Sequence, residues 1–185
     1  TSGVCVPRQY AEAAGIALGH TTREFFAWLT TRRWATAYPC WQGTARVYLL
    51  HSKTLYRAIG EADNRHRRPT TVGRAMERLM VLDAVLAERK VLWLGTERDK
   101  YAHFVCLLRG ALQNDELPRL VFRKDEQEQT VRYFPDKLPI GIDPETDRHV
   151  FVFLAADGSP MDFRQFLLRH AELLRALRSW TIRVV

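Results

Sequence analysis

The chain has 185 residues, 46% of them hydrophobic and 26% charged, with a formal net charge of +7 and a pI near 9.7. That is material for one large or two small domains with packed cores. No apolar run approaches the ~20 residues of a membrane span, so a membrane partner is not expected, and no secretory leader pattern is visible.

The stretch 7–51 organises the chain. A short helix rich in small residues, Tyr10 to Ala14, meets Gly15, which can take the positive φ that ends a helix. Small Ala11 and Gly15 suit a close helix crossing. After a turn over 16–19, a second helix starts near His20, with Thr21 or Thr22 as its cap. Phe26 and Leu29 are three apart and share a buried face, with Phe25 beside it. The other face presents Thr21, Arg23, Glu24, Ala27 and Thr31, short or polar side chains that can enter a major groove and meet base edges. The helix runs out at Arg32 and Arg33. Two β-type runs, 36–40 and 45–51, then flank a turn over 41–44. They place Gln42 at the tip of a hairpin and Arg46 on its return strand, within reach of a phosphate or the minor groove. Trp28, Trp34 and Trp41 are read as core of this segment, although Trp41 near the tip can also meet a sugar.

At these residues the chain resembles winged helix-turn-helix transcription regulators of the MarR type, over roughly a quarter of its length. The matching pattern is Ala11 and Gly15 in the first helix and Phe26 and Leu29 in the second. Arg33-Trp34-Ala35 then stand where that family usually has Gly-Leu-Val, so Arg33 replaces a common glycine cap. The resemblance implies double-stranded DNA binding, with His20, Thr21, Thr22, Arg23, Glu24, Ala27, Thr31 and Arg32 on the recognition helix. Gln42 and Arg46 would form the wing. Small helix-turn-helix units also serve as protein–protein modules, so a scaffold remains the alternative.

Charge supports a polyanionic partner. Residues 1–68 hold 10 Lys/Arg against four Asp/Glu, a balance of +6, while the remainder holds 18 against 17. Nearly all the excess therefore travels with the helix-turn-helix.

Further along, residues 1–6 are too short and β-rich for a first helix. Thr1 in place of Met and the strand-like end suggest a trimmed chain whose native form extends further. Ser52 can cap a helix reaching Ile59, with Leu55 and Ile59 on one face and Gly60 at its end. Residues 61–71 read as a basic linker in which Arg65, Arg67 and Arg68 clamp phosphates, or as a solvated hinge. A long amphipathic helix follows from Val72 to Leu86, its broad apolar stripe serving a core or a homodimer contact. The second half alternates signals. A strand at 91–94 precedes a capping box, Thr96 to Asp99, and a helix carrying Tyr101, His103 and Phe104. Strands at 120–123 and 130–134 and a proline-bearing loop or short strand at 135–143 lead to the strongest strand, 149–155, apolar on both faces and central. A helix at 161–177 and a last strand at 181–185 close the chain. The resulting layout is α/β (α+β overall). It has a winged helix-turn-helix domain over 1–60, a linker over 61–71 and a mixed-sheet α/β domain over 72–185.

The order helix, three strands, helix, strand in the second half, with a Pro135-Asp136 dipeptide, faintly resembles replication-relaxation proteins and their degenerate PD-(D/E)XK nuclease-like domains. Active members need a (D/E)-x-K on the next strand. Here that strand has neither acid nor lysine, and Asp147-Arg148-His149 precedes it with His in place of Lys. A non-enzymatic role is therefore expected, with a nuclease-like DNA-processing protein as the alternative. No phosphate loop or nucleophile elbow appears. The six histidines never pair at ligand spacing on one helix, and Cys5, Cys40 and Cys106 are far apart. No cofactor or metal is thus expected. An odd cysteine count suits reduced thiols in a cytoplasmic protein. Cys40 is read as a small packed residue or a redox sensor. The composite expectation is a cytoplasmic, nucleoid-associated transcription regulator, of a plasmid or mobile element, acting as a homodimer on double-stranded DNA.

Overall fold

The structure is a computed structural model describing residues 3–39, 45–123, 129–135, 138–155 and 160–185, apart from the side chains of Arg65, Arg123, Pro160 and Met161. The chain is α/β with mixed sheets and divides into two compact units, Ser2–Ala87 and Glu88–Val185.

The first unit runs β1 (Val4–Cys5), α1 (Pro7–Ala14), α2 (His20–Thr31), β2 (Ala35–Pro39), β3 (Arg46–Leu50), α3 (Lys53–Ala58) and α4 (Val72–Ala87). β3 lies between β1 and β2, antiparallel to both, with Val4 opposite Leu49 and Ala37 opposite Tyr48. Gly15 ends α1 at φ 65 and satisfies the last carbonyls through the Glu12 and Ala11 oxygens, as its lack of a Cβ permits. The α2 cap differs from expectation. Gly19 holds the N-cap position, and Thr22 is fully buried, its hydroxyl directed at the Ala17 carbonyl at 3.3 Å.

Two clusters form the core of this unit. Phe26, Leu29 and Ala35 pack with Tyr10, Phe25, Tyr48 and Leu50, and the Phe26 and Tyr48 ring centroids lie 4.1 Å apart. Val4, Leu49 and Leu79 form the second, which brings α4 onto β1. Buried Gln9 locks that contact. Its carbonyl accepts the Val6 N–H at 3.1 Å, and its amide donates to the Leu79 carbonyl and to Asp83, both at 2.9 Å. A buried amide with all these partners costs little, whereas one left unpaired would cost about 1–3 kcal/mol.

Gln9 and Leu79 overturn the expected boundaries. Residues 61–71 do not separate two domains: they contain a 3-10 turn (Arg65–Arg67) and a buried His66, inside the first unit. The division falls after Ala87, because α4 completes the core of the first unit. Ile59, expected on a buried face, is 63% exposed, and Tyr56 is the residue of α3 that is buried. Trp28, expected in the core, is 42% exposed.

The second unit runs β4 (Leu92–Leu94), α5 (Glu97–Leu107), β5 (Arg119–Arg123), β6 (Gln129–Tyr133), β7 (Ile140–Asp143), β8 (Arg148–Phe153), α6 (Pro160–Ala176) and β9 (Trp180–Val184). One sheet has the order β4-β7-β8-β9, antiparallel except for the parallel pair β8/β9 across α6; β5 and β6 form a separate hairpin. As its sequence implies, β8 is interior, buried from His149 to Phe153. Gly141 on β7 admits β4 closely, since a Cβ there would lie 2.3 Å from Val91 Cγ1. Phe104, Phe134, Phe151, Phe153, Phe166 and Leu173 build the core. The expected capping box is present, with Thr96 and Asp99 exchanging backbone–side-chain hydrogen bonds of 2.9 and 3.0 Å.

Candidate nucleic-acid interface

Helix α2 has two distinct faces. Thr22, Phe26 and Leu29 are buried at helical spacing, so His20, Thr21, Arg23, Glu24, Ala27 and Thr31 lie on the outer side, all exposed. Glu24 is engaged there: His20 Nε2 sits 3.0 Å from its carboxylate, one turn back. Arg23 carries no acidic partner among the described residues, and small Ala27 leaves room beside it.

The last turn of α2 adds a feature that the spacing had hidden. The Arg32 guanidinium lies 4.9 Å above the Trp28 ring and 5.9 Å from Trp34. Exposed Trp28 thereby orients an exposed cation, a contact of about 0.5–1 kcal/mol at a surface. Arg at i+4 from Trp on one helix was the available signal.

Arg33 follows with φ 57, the left-handed conformation that a glycine would adopt there. Its N–H closes on the Thr30 carbonyl, and Trp34 N–H on Leu29. The helix thus ends as a glycine-capped helix does, at a backbone cost of roughly 1–2 kcal/mol.

Arg46 is exposed at the start of β3, opposite Pro39. Gln42, Trp41 and Cys40 lie outside the described residues. Arg68 is exposed, and Arg65 belongs to the 3-10 turn by its backbone.

Two expected contacts are corrected. Thr22 is sealed inside the unit and cannot reach a base. Arg67 is half-buried and donates to the His51 carbonyl at 3.1 Å and the Ala62 carbonyl at 2.6 Å, so it braces the chain after β3 rather than clamping a phosphate. Nearby, burial pushes the Cys5 thiol up to about 11, which keeps it protonated and unreactive at neutral pH.

In the second unit, Asp136 of the Pro-Asp dipeptide lies outside the described residues, and β8 carries no acid or lysine. Asp147 is exposed at φ 51 in the turn before β8. Among the described residues no group of three or more His, Cys, Asp or Glu converges as a metal site, and no helix is long and apolar enough to cross a membrane. His103 is partly exposed on α5, and its ring meets that of His149 with their Nε2 atoms 2.9 Å apart. The two are 46 residues apart in sequence, beyond any local spacing rule.

No family model, curated protein or solved structure matches this chain. The functional reading therefore rests on its own geometry and charge.

Proposed function

We propose that the first unit is a winged helix-turn-helix that binds double-stranded DNA sequence-specifically, α2 entering the major groove and the β2–β3 hairpin acting as the wing. The observation that carries this is the outer face of α2. Arg23, Ala27 and Thr31 stand exposed together on a helix whose other face is anchored by Phe26 and Leu29. Helix, turn, helix and hairpin follow one another in α1, α2, β2 and β3, the order that the resemblance to winged-helix regulators implies, and this supports the reading. The +6 balance over residues 1–68 supplies the electrostatic attraction.

In this reading Arg23 contacts a base edge, Arg32 approaches the backbone as a pre-oriented cation, and Arg46 and Arg68 contact phosphates. Phosphate contacts fix register and base contacts select sequence. The protein acts as a transcription regulator of the kind plasmids and mobile elements carry, as a homodimer in the cytoplasm, on paired half-sites about 34 Å apart.

Selection of bound fragments from a random duplex pool tests this. The expected outcome is an enriched, two-fold symmetric motif. Uniform recovery of all sequences would refute sequence-specific reading.

A further inference from the structure

We propose that His103 and His149 form a proton-operated latch between α5 and the central strand β8, closed at neutral pH and opened by mild acid. The ring centroids are 5.2 Å apart and tilted by 45°, while the Nε2 atoms are 2.9 Å apart. The centroid separation is the nitrogen separation plus about one ring radius on each side, so the nitrogens meet head-on. Such a contact is an N–H···N hydrogen bond, holding one proton between two nitrogens. A metal ion bound by both would need them to converge on a third point.

Whichever ring donates, the other accepts on Nε2 and, being neutral, carries its own proton on Nδ1. A second proton on the donor ring goes to its Nδ1 and leaves the contact intact, whereas one on the accepting ring must go to Nε2, removes the lone pair and breaks the contact. The closed latch thus holds at least one proton fewer than the open one.

The surroundings reinforce this. His149 is 4% exposed and abuts Phe104, the next residue after His103 on α5. Burial holds both imidazoles below the usual histidine range, and His103 adds to the effect at His149. Asp147, in the turn before β8, opposes it at both rings. Lys100, one turn back on α5, directs its ammonium to the Leu138 carbonyl. On β8, Arg148 is exposed, and Phe151 meets His170 of α6 edge-on with ring centroids 5.9 Å apart.

The sign follows. The open form takes up protons near the free imidazole value of about 6.5, and the closed form takes them up only at lower pH. Closure is at full strength above about pH 6.5 and weakens progressively below it, down through the lower range of the closed form.

Hydrogen exchange of the full chain, followed from pH 7.5 to 5 and corrected for intrinsic rates, tests the latch. Protection of α5 amides should fall about tenfold per pH unit below about 6.5 for one extra proton, while β9 and α6 keep theirs. His103→Gln should flatten that dependence, because a side-chain amide can donate to neutral His149 and, turned over, accept from its protonated form. Constant α5 protection, equal loss throughout the unit, or an unchanged slope in His103→Gln would overturn the proposal. Should the variant not fold, the wild-type imidazole resonances decide. His103 and His149 must lose their shared bond at the midpoint of α5 opening, and separate midpoints would overturn it.

Discussion

Replacing Arg67 and Arg68 one at a time separates a brace from a DNA contact one residue apart in sequence. Arg67 is half-buried and gives two hydrogen bonds to main-chain carbonyls, His51 at the end of the hairpin and Ala62 beyond α3. A hydrogen bond to a charged group contributes about 1.5–3 kcal/mol. Partial exposure puts these at the low end and lets water take over part of the loss. Arg67→Ala should therefore cost the first unit about 2 kcal/mol, or about 8–16 °C in Tm for a unit of this size. Arg68 is exposed, so Arg68→Ala should leave stability within about 0.5 kcal/mol. On DNA the order reverses. Arg68→Ala should weaken every duplex alike and flatten the salt dependence by about one phosphate contact. Arg67→Ala, held below its own melting point, should bind like the wild type. Far-UV circular dichroism melts and fluorescence anisotropy on the same preparations give both numbers. An Arg67→Ala protein with unchanged Tm but the DNA defect expected of Arg68→Ala would refute the assignment.

Other outcomes follow from the same geometry. Arg23→Ala should leave stability unchanged and cost about 1–3 kcal/mol on the selected site, with a much smaller loss on random duplex, by competition anisotropy; equal losses on both would remove Arg23 from base readout. Val72, Met76 and Met80 are exposed at four-residue spacing on α4, whereas Leu79 is in the core. Met76→Glu with Met80→Glu should yield folded monomers by sedimentation, and a wild-type monomer at high micromolar concentration would contradict the homodimer. Leu79→Glu should instead unfold the unit, by burying an unpaired carboxylate. With Mg²⁺ or Mn²⁺ present, supercoiled plasmid should stay intact, and cleavage abolished by Asp136→Ala would make the second unit an enzyme.

Local signals carried much of this fold. Gly15 as a stop, the Phe26 and Leu29 face, the Thr96–Asp99 box and the doubly apolar β8 each depend on residues within a turn or a strand of one another, and each is where its pattern implies. The misses are long-range. Nothing near Val72 to Leu86 says that this stripe closes on Val4 and Gln9, some 70 residues earlier, so the polar run before it passed for a linker. Arg33 counted against a glycine-type cap because its side chain disfavours positive φ, yet the hydrogen bonds of Arg33 and Trp34 to the end of α2 hold it there. On α2 the periodicity separated the faces, but Thr22 suited both a cap and a groove contact, and only packing assigns it to the core.

The central claim is that the first unit binds duplex DNA through its basic surface, and the salt dependence of binding tests it most directly. For a mixed-sequence duplex titrated at rising salt, the account predicts a linear fall of log K with log[salt]. Its slope should be about −0.9 for each phosphate neutralised, several such contacts making the fall steep. Absence of binding at low salt, or an affinity that stays level as salt rises, would contradict it.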